Sequence, residues 1–173
     1  MKRQKYPASV IKVGTTLYTA SGIVWDGKAG IDVNEWVVRS IKCKRGSKSQ
    51  FGFKYSYPED TAQYVNVTQR LDGITWGKLS KKTGDYGWRK SIQAQYRKQF
   101  EVGADLPSGF YTTKQQALKF ALVSELNHIK WYESELKKPE STFDKQELEL
   151  ELAEAKQVTK ALSSRITREK SKK

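Results

Sequence analysis

The stretch EWVVRSIKCK, residues 35–44, has the strict alternation of a β-strand. Successive side chains of an extended chain point to opposite sides of the sheet. One side would carry Val37, Arg39, Ile41 and Cys43, and the other Trp36, Val38, Ser40, Lys42 and Lys44. The segment therefore predicts that a sheet organises the N-terminal part of the chain.

The residues before this segment contain a second strand signal. GTTLYTA, at 14–20, predicts a short strand that begins and ends near glycines. Residues 23–34 predict a loop, in which Asp26-Gly27 is a strong turn signal.

The residues after it continue the pattern of short strands. FGFKYSY (51–57) places four rings on one face, and AQYVNVTQRL (62–71) predicts the next strand. Asp72-Gly73 is the best hairpin signal, so ITWGKLS (74–80) should pair back onto 62–71. Residues 88–100 are open between a strand and a short helix.

Helical periodicity replaces alternation after Pro107. Thr112 or Thr113 can cap a first helix, with Gln115 or Gln116 completing a capping box. Its apolar stripe comprises Leu118, Leu122, Leu126, Ile129, Tyr132 and Leu136. A second helix would carry Leu148, Leu152, Ala155, Val158, Leu162 and Ile166 on one face.

These elements predict an α+β fold. A small SH3-like or OB-like β-barrel would occupy residues 1–110, and an antiparallel helical hairpin residues 111–168. Residues 169–173 would form a disordered basic tail. The helices at 113–137 and 143–168 could stiffen the barrel or pair with a second copy as a homodimer.

Positive charge dominates the composition. The chain has 32 Lys and Arg against 19 Asp and Glu, a net charge of +13 at pH 7. Residues 1–58 alone carry 11 basic and 3 acidic side chains. Such a field attracts polyanions and is weakened by salt. Nucleic acid is the partner that this charge best predicts.

Catalytic signals are missing. The single histidine, His128, excludes mechanisms that need a pair, and the single cysteine, Cys43, excludes an intrachain disulfide and fits a reducing cytoplasm. No metal-ligand spacing or phosphate loop occurs, so we expect a non-catalytic protein without cofactors or metal. The absence of a long apolar run predicts no membrane span.

We interpret the basic and aromatic clusters as a binding surface. Cations hold phosphates, and exposed rings stack on bases. The predicted nucleic-acid-binding residues are Lys42, Lys44, Arg45, Lys48, Lys54, Lys78, Lys81, Lys82, Arg89 and Lys90. The candidate stacking rings are Phe51, Phe53, Tyr55, Trp76 and Trp88, whose alternative role is to form the core.

Two passages carry a family resemblance. KVGTTLYTASG (12–22) followed by EWVVRSIKCKRG (35–46) resembles small SH3-like barrels. GFYTTKQQALKFA (109–121) resembles the strand-turn-helix ending of accessory proteins of tailed bacteriophages. The resemblance implies a phage protein that acts on nucleic-acid machinery in the bacterial host cytoplasm, and it carries over no functional residue.

The sequence therefore predicts sequence-tolerant binding of DNA or RNA by basic loops of a small barrel. The competing hypothesis is a phage effector that inhibits a host protein complex, such as a polymerase, nuclease or defence system. In that case the positive charge would match an acidic groove on the partner.

Overall fold

The computed structural model describes residues 12–43, 63–71, 76–78, 86–88, 93–101, 106–138 and 143–171. Strands precede helices along the chain, which confirms the predicted α+β class. The chain divides into two compact units. The helical unit contains Tyr18–Asn34 and Ser108–Lys173, and the sheet unit contains Arg3–Leu17 and Glu35–Pro107.

Six strands and two α-helices make up the described part of the chain. They are β1 (Thr16–Trp25), β2 (Lys28–Cys43), β3 (Gln63–Gln69), β4 (Trp76–Lys78), β5 (Tyr86–Trp88), β6 (Arg97–Glu101), α1 (Lys114–Leu136) and α2 (Lys145–Lys170). One 3-10 turn, Ala94–Tyr96, precedes β6. Four strands form an antiparallel sheet in the order β1-β2-β3-β6, and β4 pairs with β5.

The turn between β1 and β2 is the two-residue Asp26-Gly27. Both residues have positive φ, 51° and 67°, as a type I′ hairpin turn requires. The predicted turn is thus confirmed, but the predicted loop over 23–34 is wrong, because β1 runs to Trp25 and β2 starts at Lys28.

An apolar seam holds the helical unit together. Leu118 and Ala121 of α1 pack with Val158, Leu162 and Ile166 of α2. Partly buried strand residues cover this seam, namely Ala20, Val24, Ala29, Ile31 and Val33, together with Leu122 of α1. Burial of such side chains is the main stabilising term in a unit of this size.

The start of α1 agrees with its capping signal. Thr113 is the N-cap residue, and its hydroxyl accepts a hydrogen bond from the Gln116 amide at 3.3 Å. The same hydroxyl donates to Gln116 Oε1 at 2.9 Å. Capping of this kind stabilises a helix by about 1 kcal/mol.

The predicted stripe of α1 is correct only in part. Leu118 is buried and Leu122 lies against the seam, but Leu126 is 41% exposed. The small residues Ala117 and Ala121 are buried instead, because they allow close approach of neighbouring elements.

The predicted stripe of α2 is confirmed at nearly every position. Leu148, Ala155, Val158, Leu162 and Ile166 are buried. Residues early in α1 pack against residues late in α2, and Lys156 of α2 pairs with Glu133 near the end of α1 at 3.4 Å. The two helices are therefore antiparallel, as predicted, and α2 continues two residues beyond 168.

The sheet unit is built on the second half of β2. Val38 lies opposite Val67, and Ser40 lies opposite Asn66, so the register shifts between Val38 and Ser40. The predicted strand over 35–44 is confirmed as far as Cys43, and Lys44 lies outside the described residues, but its strict alternation is wrong. A bulge inserts one extra residue there, and Trp36, Val37 and Val38 are all buried.

The predicted strand over 62–71 is also confirmed, as β3. The predicted hairpin between 62–71 and 74–80 is wrong. A strand has two edges, and those of β3 are occupied by β2 and β6. β4 pairs instead with β5, with Trp76 opposite Trp88. The predicted strand over 51–57 lies outside the described residues.

Candidate nucleic-acid interface

A row of polar side chains crosses one face of the sheet unit. Ser40 of β2, Asn66 of β3 and Gln99 of β6 are register partners. Gln99 Nε2 donates to Asn66 Oδ1 at 3.0 Å, and Asn66 Nδ2 donates to Ser40 Oγ at 3.1 Å. These two hydrogen bonds, one between amides and one from an amide to a hydroxyl, fix the three side chains in one orientation.

The opposite face of the same strands is apolar. Val65 and Val67 of β3 are fully buried, and Phe100 of β6, opposite Val65, is buried as well. Because successive side chains of a strand point to opposite faces, Asn66 and Thr68 lie on the face opposite Val65 and Val67, where Asn66 is partly exposed and Thr68 is buried. The polar face therefore follows from the sequence QYVNVTQ once the core side is known.

Two arginines flank the polar row. Arg39, at the bulge, donates from Nε to Thr68 Oγ1 at 2.9 Å. Arg97 of β6 is the register partner of Thr68 and is exposed. Burial, and then the charge of Arg70, lower the pKa of Arg39, although arginine remains charged at neutral pH. Thr68 thus lies between two cationic side chains.

Arg70 extends this cationic region at the end of β3. Its Nη1 lies 2.7 Å from Glu35 Oε2, and its backbone N–H donates to the Glu35 carbonyl. The Arg70 side chain is 62% exposed, so the pair is accessible to water and contributes little to stability. The ion pair with Glu35 holds the Arg70 guanidinium near Arg39 and the polar row.

An open depression of about 360 Å³ lies between β3, β6 and the 3-10 turn. Asn66, Thr68, Arg97, Lys98 and Gln99 contribute to its lining. Guanidinium and ammonium groups can contact phosphates, and amides can donate to and accept from base edges. The surface has the groups that a nucleic-acid strand needs.

Charge is distributed unequally between the units. Residues 3–17 and 35–107, the range of the sheet unit, carry 17 Lys and Arg against 7 Asp and Glu. The rest of the sequence carries 15 against 12. The excess positive charge therefore belongs mainly to the sheet unit.

Four of the predicted site residues lie in the described part of the chain. Lys42 is in β2 opposite Tyr64, and Lys78 is in β4 opposite Tyr86. Trp76 of β4 and Trp88 of β5 are partners in the backbone register of that strand pair. The other predicted positions lie outside the described residues, namely Lys44, Arg45, Lys48, Phe51, Phe53, Lys54, Tyr55, Lys81, Lys82, Arg89 and Lys90.

Sequence reasoning missed the polar row and its arginines. Asn66 and Gln99 have no charge and no ring, so a search for basic and aromatic clusters passes over them. The alternation of Asn66 and Thr68 with valines was the signal that could have found them. The bulge that brings Arg39 to Thr68 has no comparable signal.

Neither a metal site nor a membrane span is found in the described ranges. No group of three His, Cys, Asp or Glu side chains in these ranges could hold a metal ion. His128 is an exposed helical residue whose Nδ1 lies 3.5 Å from Glu125. Among the described helices, none is long and apolar enough to cross a bilayer.

Comparison with known proteins gives no relative: no protein-family model, curated protein or solved structure matches this chain.

Proposed function

We propose that this protein is a non-catalytic nucleic-acid-binding protein that uses the polar face of β2, β3 and β6. The observation that carries the proposal is the hydrogen-bonded row Ser40–Asn66–Gln99 with Arg39 and Arg97 beside it. An open sheet face with fixed polar side chains is a platform that a single strand can lie across.

The arginines and the amides would have different tasks. Arg97 and Lys98 are exposed at the sheet edge, where they can contact phosphates without regard to sequence. Gln99 is exposed too, and one of its amide hydrogens is already given to Asn66. Its remaining groups suit hydrogen bonds to different bases, which favours sequence-tolerant binding.

Charge supports the same proposal. The sheet unit has ten more basic than acidic residues, from the counts of 17 and 7. The basic positions predicted from sequence at 42–54 and 78–90 belong to this range and are part of its positive charge. Electrostatic attraction also raises the rate of association with a polyanion.

The proposal also includes a fold family for the sheet and a source for the protein. We infer a small SH3-like or OB-like barrel, supported by the antiparallel sheet and by the bulge at 38–40, which bends its strand. We also infer an accessory protein of a tailed bacteriophage that works in the host cytoplasm, in keeping with its single cysteine.

A binding titration tests the function. Labelled single-stranded DNA, RNA and duplex DNA are titrated with the protein while fluorescence anisotropy is recorded. If three phosphates are contacted, affinity should fall roughly 20- to 40-fold between about 50 and 200 mM salt. Failure of every oligonucleotide to bind at low salt would refute the proposal and favour a protein target.

A charge-reversal variant locates the surface. Lys42, Lys44, Arg45 and Lys48 are changed together to Glu, and binding should be abolished. The matched control reverses four exposed lysines of the helical unit, namely Lys119, Lys130, Lys145 and Lys160. Equal loss in both variants would mean that total charge, and not the sheet unit, drives binding.

A further inference from the structure

A pocket of about 200 Å³ lies where the end of α1 meets the start of α2. Two of its walls are aromatic rings, Trp131 of α1 and Phe143 just before α2. Their centroids are 5.5 Å apart and their planes meet at 78°. Trp131 also packs edge-to-face on Tyr132, with centroids 5.1 Å apart, so its ring is held from two sides.

These rings are accessible although they are large and apolar. Trp131 is 44% exposed and Phe143 is 50% exposed. Trp25 at the β1–β2 turn is also exposed, and a single exposed side chain needs no functional explanation. Trp131 and Phe143 differ from such a single side chain, because they pack edge-to-face on each other and together form one aromatic wall of a pocket.

The remaining wall of the pocket carries negative charge. Asp144, Glu147 and Glu151 line it, and Leu148 forms the floor. Asp144 is engaged as the cap of α2, where its Oδ1 accepts from the Gln146 amide at 2.8 Å. Within the described ranges, no Lys or Arg forms an ion pair with Glu147 or Glu151.

The field around the pocket is negative on its other side as well. Burial, and then the Glu151 carboxylate, raise the pKa of Tyr132, and Glu125 and Glu154 add to this effect. These carboxylates lie in the adjoining depression of the helical unit. A phosphate would be repelled from this region, and a cation would be attracted.

We propose that this pocket binds the cationic side chain of a lysine- or arginine-bearing segment of a partner protein. Ring faces attract ammonium and guanidinium groups, and two carboxylates supply charge for the same group. The volume supports one side chain as occupant, because clefts for whole small molecules are larger, about 300–1,000 Å³. This proposal uses none of the residues of the candidate nucleic-acid interface and does not depend on that interface.

Labelled peptides test this assignment. Three peptides alternate glycine with Lys, Arg or Glu, and each is titrated at about 50 mM salt with anisotropy as the readout. The Lys and Arg peptides should bind and the Glu peptide should not. Trp131→Ala and Glu147→Gln should each weaken binding of the cationic peptides about fivefold or more.

Matched controls lie elsewhere in the helical unit. Trp25→Ala removes an exposed ring, and Glu149→Gln removes an exposed carboxylate that does not line the pocket. Both should bind within twofold of the wild type. Absence of binding by the cationic peptides, or equal losses in pocket and control variants, would overturn the proposal. Circular dichroism of each variant confirms that the helices are intact.

Light scattering distinguishes a separate protein partner from a second copy of this chain as the occupant of the pocket. If the protein without peptide is a dimer, and Trp131→Ala with Glu147→Gln makes it monomeric, a second copy fills the pocket and a separate protein partner is refuted. An unchanged oligomeric state together with peptide binding supports the proposal.

Discussion

The helical unit and the sheet unit use polar residues in different ways. The helical unit buries an apolar seam between α1, α2 and the β1–β2 hairpin. The sequence outside the sheet unit's range carries 15 Lys and Arg against 12 Asp and Glu, and three of these acidic residues line the pocket. The sheet unit presents the hydrogen-bonded row Ser40–Asn66–Gln99 beside arginines. The net charge of +13 is therefore divided unequally between the two units.

The largest expected effect concerns the seam of the helical unit. Leu162 is fully buried, and Leu162→Ala should lower the free energy of unfolding by about 2–5 kcal/mol. Urea denaturation followed by circular dichroism measures this. The control is Leu150→Ala on the same helix, where the side chain is 62% exposed and the change should stay below about 0.5 kcal/mol. Similar losses of unfolding free energy in both variants would contradict the packing described for the seam.

The next effect tests the close approach of β1 to α2. A Cβ at Gly22 would overlap Val158 Cγ1, so Gly22→Ala should cost about 1–3 kcal/mol of unfolding free energy. Combined with Val158→Ala, part of that cost should disappear, which a double-mutant cycle measures. Gly30→Ala is the control, because its Cβ would lie 3.6 Å from Ile23 Cγ2 in ordinary contact. Additive effects of Gly22→Ala and Val158→Ala would argue against the contact.

The β1–β2 hairpin also shows where sequence prediction failed. The Asp26-Gly27 turn signal led to a predicted loop over 23–34, whereas β1 and β2 extend through this range on both sides of a two-residue turn. At Gly22 the glycine is required because Val158, far along the chain in α2, packs there. Local signals were sufficient for the Asp26-Gly27 turn, the Thr113 cap and the α2 stripe. These signals depend on residues close together in the sequence, whereas the contact between Gly22 and Val158 joins residues far apart in it.

The candidate site, like the fold, could be predicted from the sequence only in part. Composition predicted a cationic surface, and this stays a prediction; most of the positive charge behind it belongs to residues 3–17 and 35–107. The row of Asn66 with its neighbours was not predicted, because it depends on which strands pair. The Asp72-Gly73 signal favoured the wrong partner for β3, whose edges are taken by β2 and β6.

A smaller effect is expected in the sheet unit. Thr68→Val removes the acceptor of Arg39 Nε and should cost about 1 kcal/mol of unfolding free energy. Thr68 is buried, and valine keeps its shape, so the loss reports the hydrogen bond. In a cycle with Arg39→Leu the two changes should be coupled by at least about 0.5 kcal/mol. Independent effects would mean that the hydrogen bond contributes nothing.

The smallest effect is a pH dependence in the helical unit. The pKa of Tyr132 is raised, so the folded chain keeps the phenol proton at a pH where the unfolded chain has lost it. The associated stability is present below the ordinary pKa of about 10 and is lost as pH rises through the folded pKa. Urea midpoints between pH 8 and 11 should fall less steeply for Tyr132→Phe than for wild type. Equal slopes would contradict this.

The most direct test of the account keeps total charge equal and changes only its position. Arg97→Gln with Lys98→Gln removes two cations from the sheet unit, and Lys119→Gln with Lys160→Gln removes two exposed cations from the helical unit. Oligonucleotide affinity is measured against salt for both double variants. The first double variant should lose affinity on the order of tenfold and have a salt slope smaller by about 1–2, while the second should match wild type. Equal changes in the two variants would contradict the account.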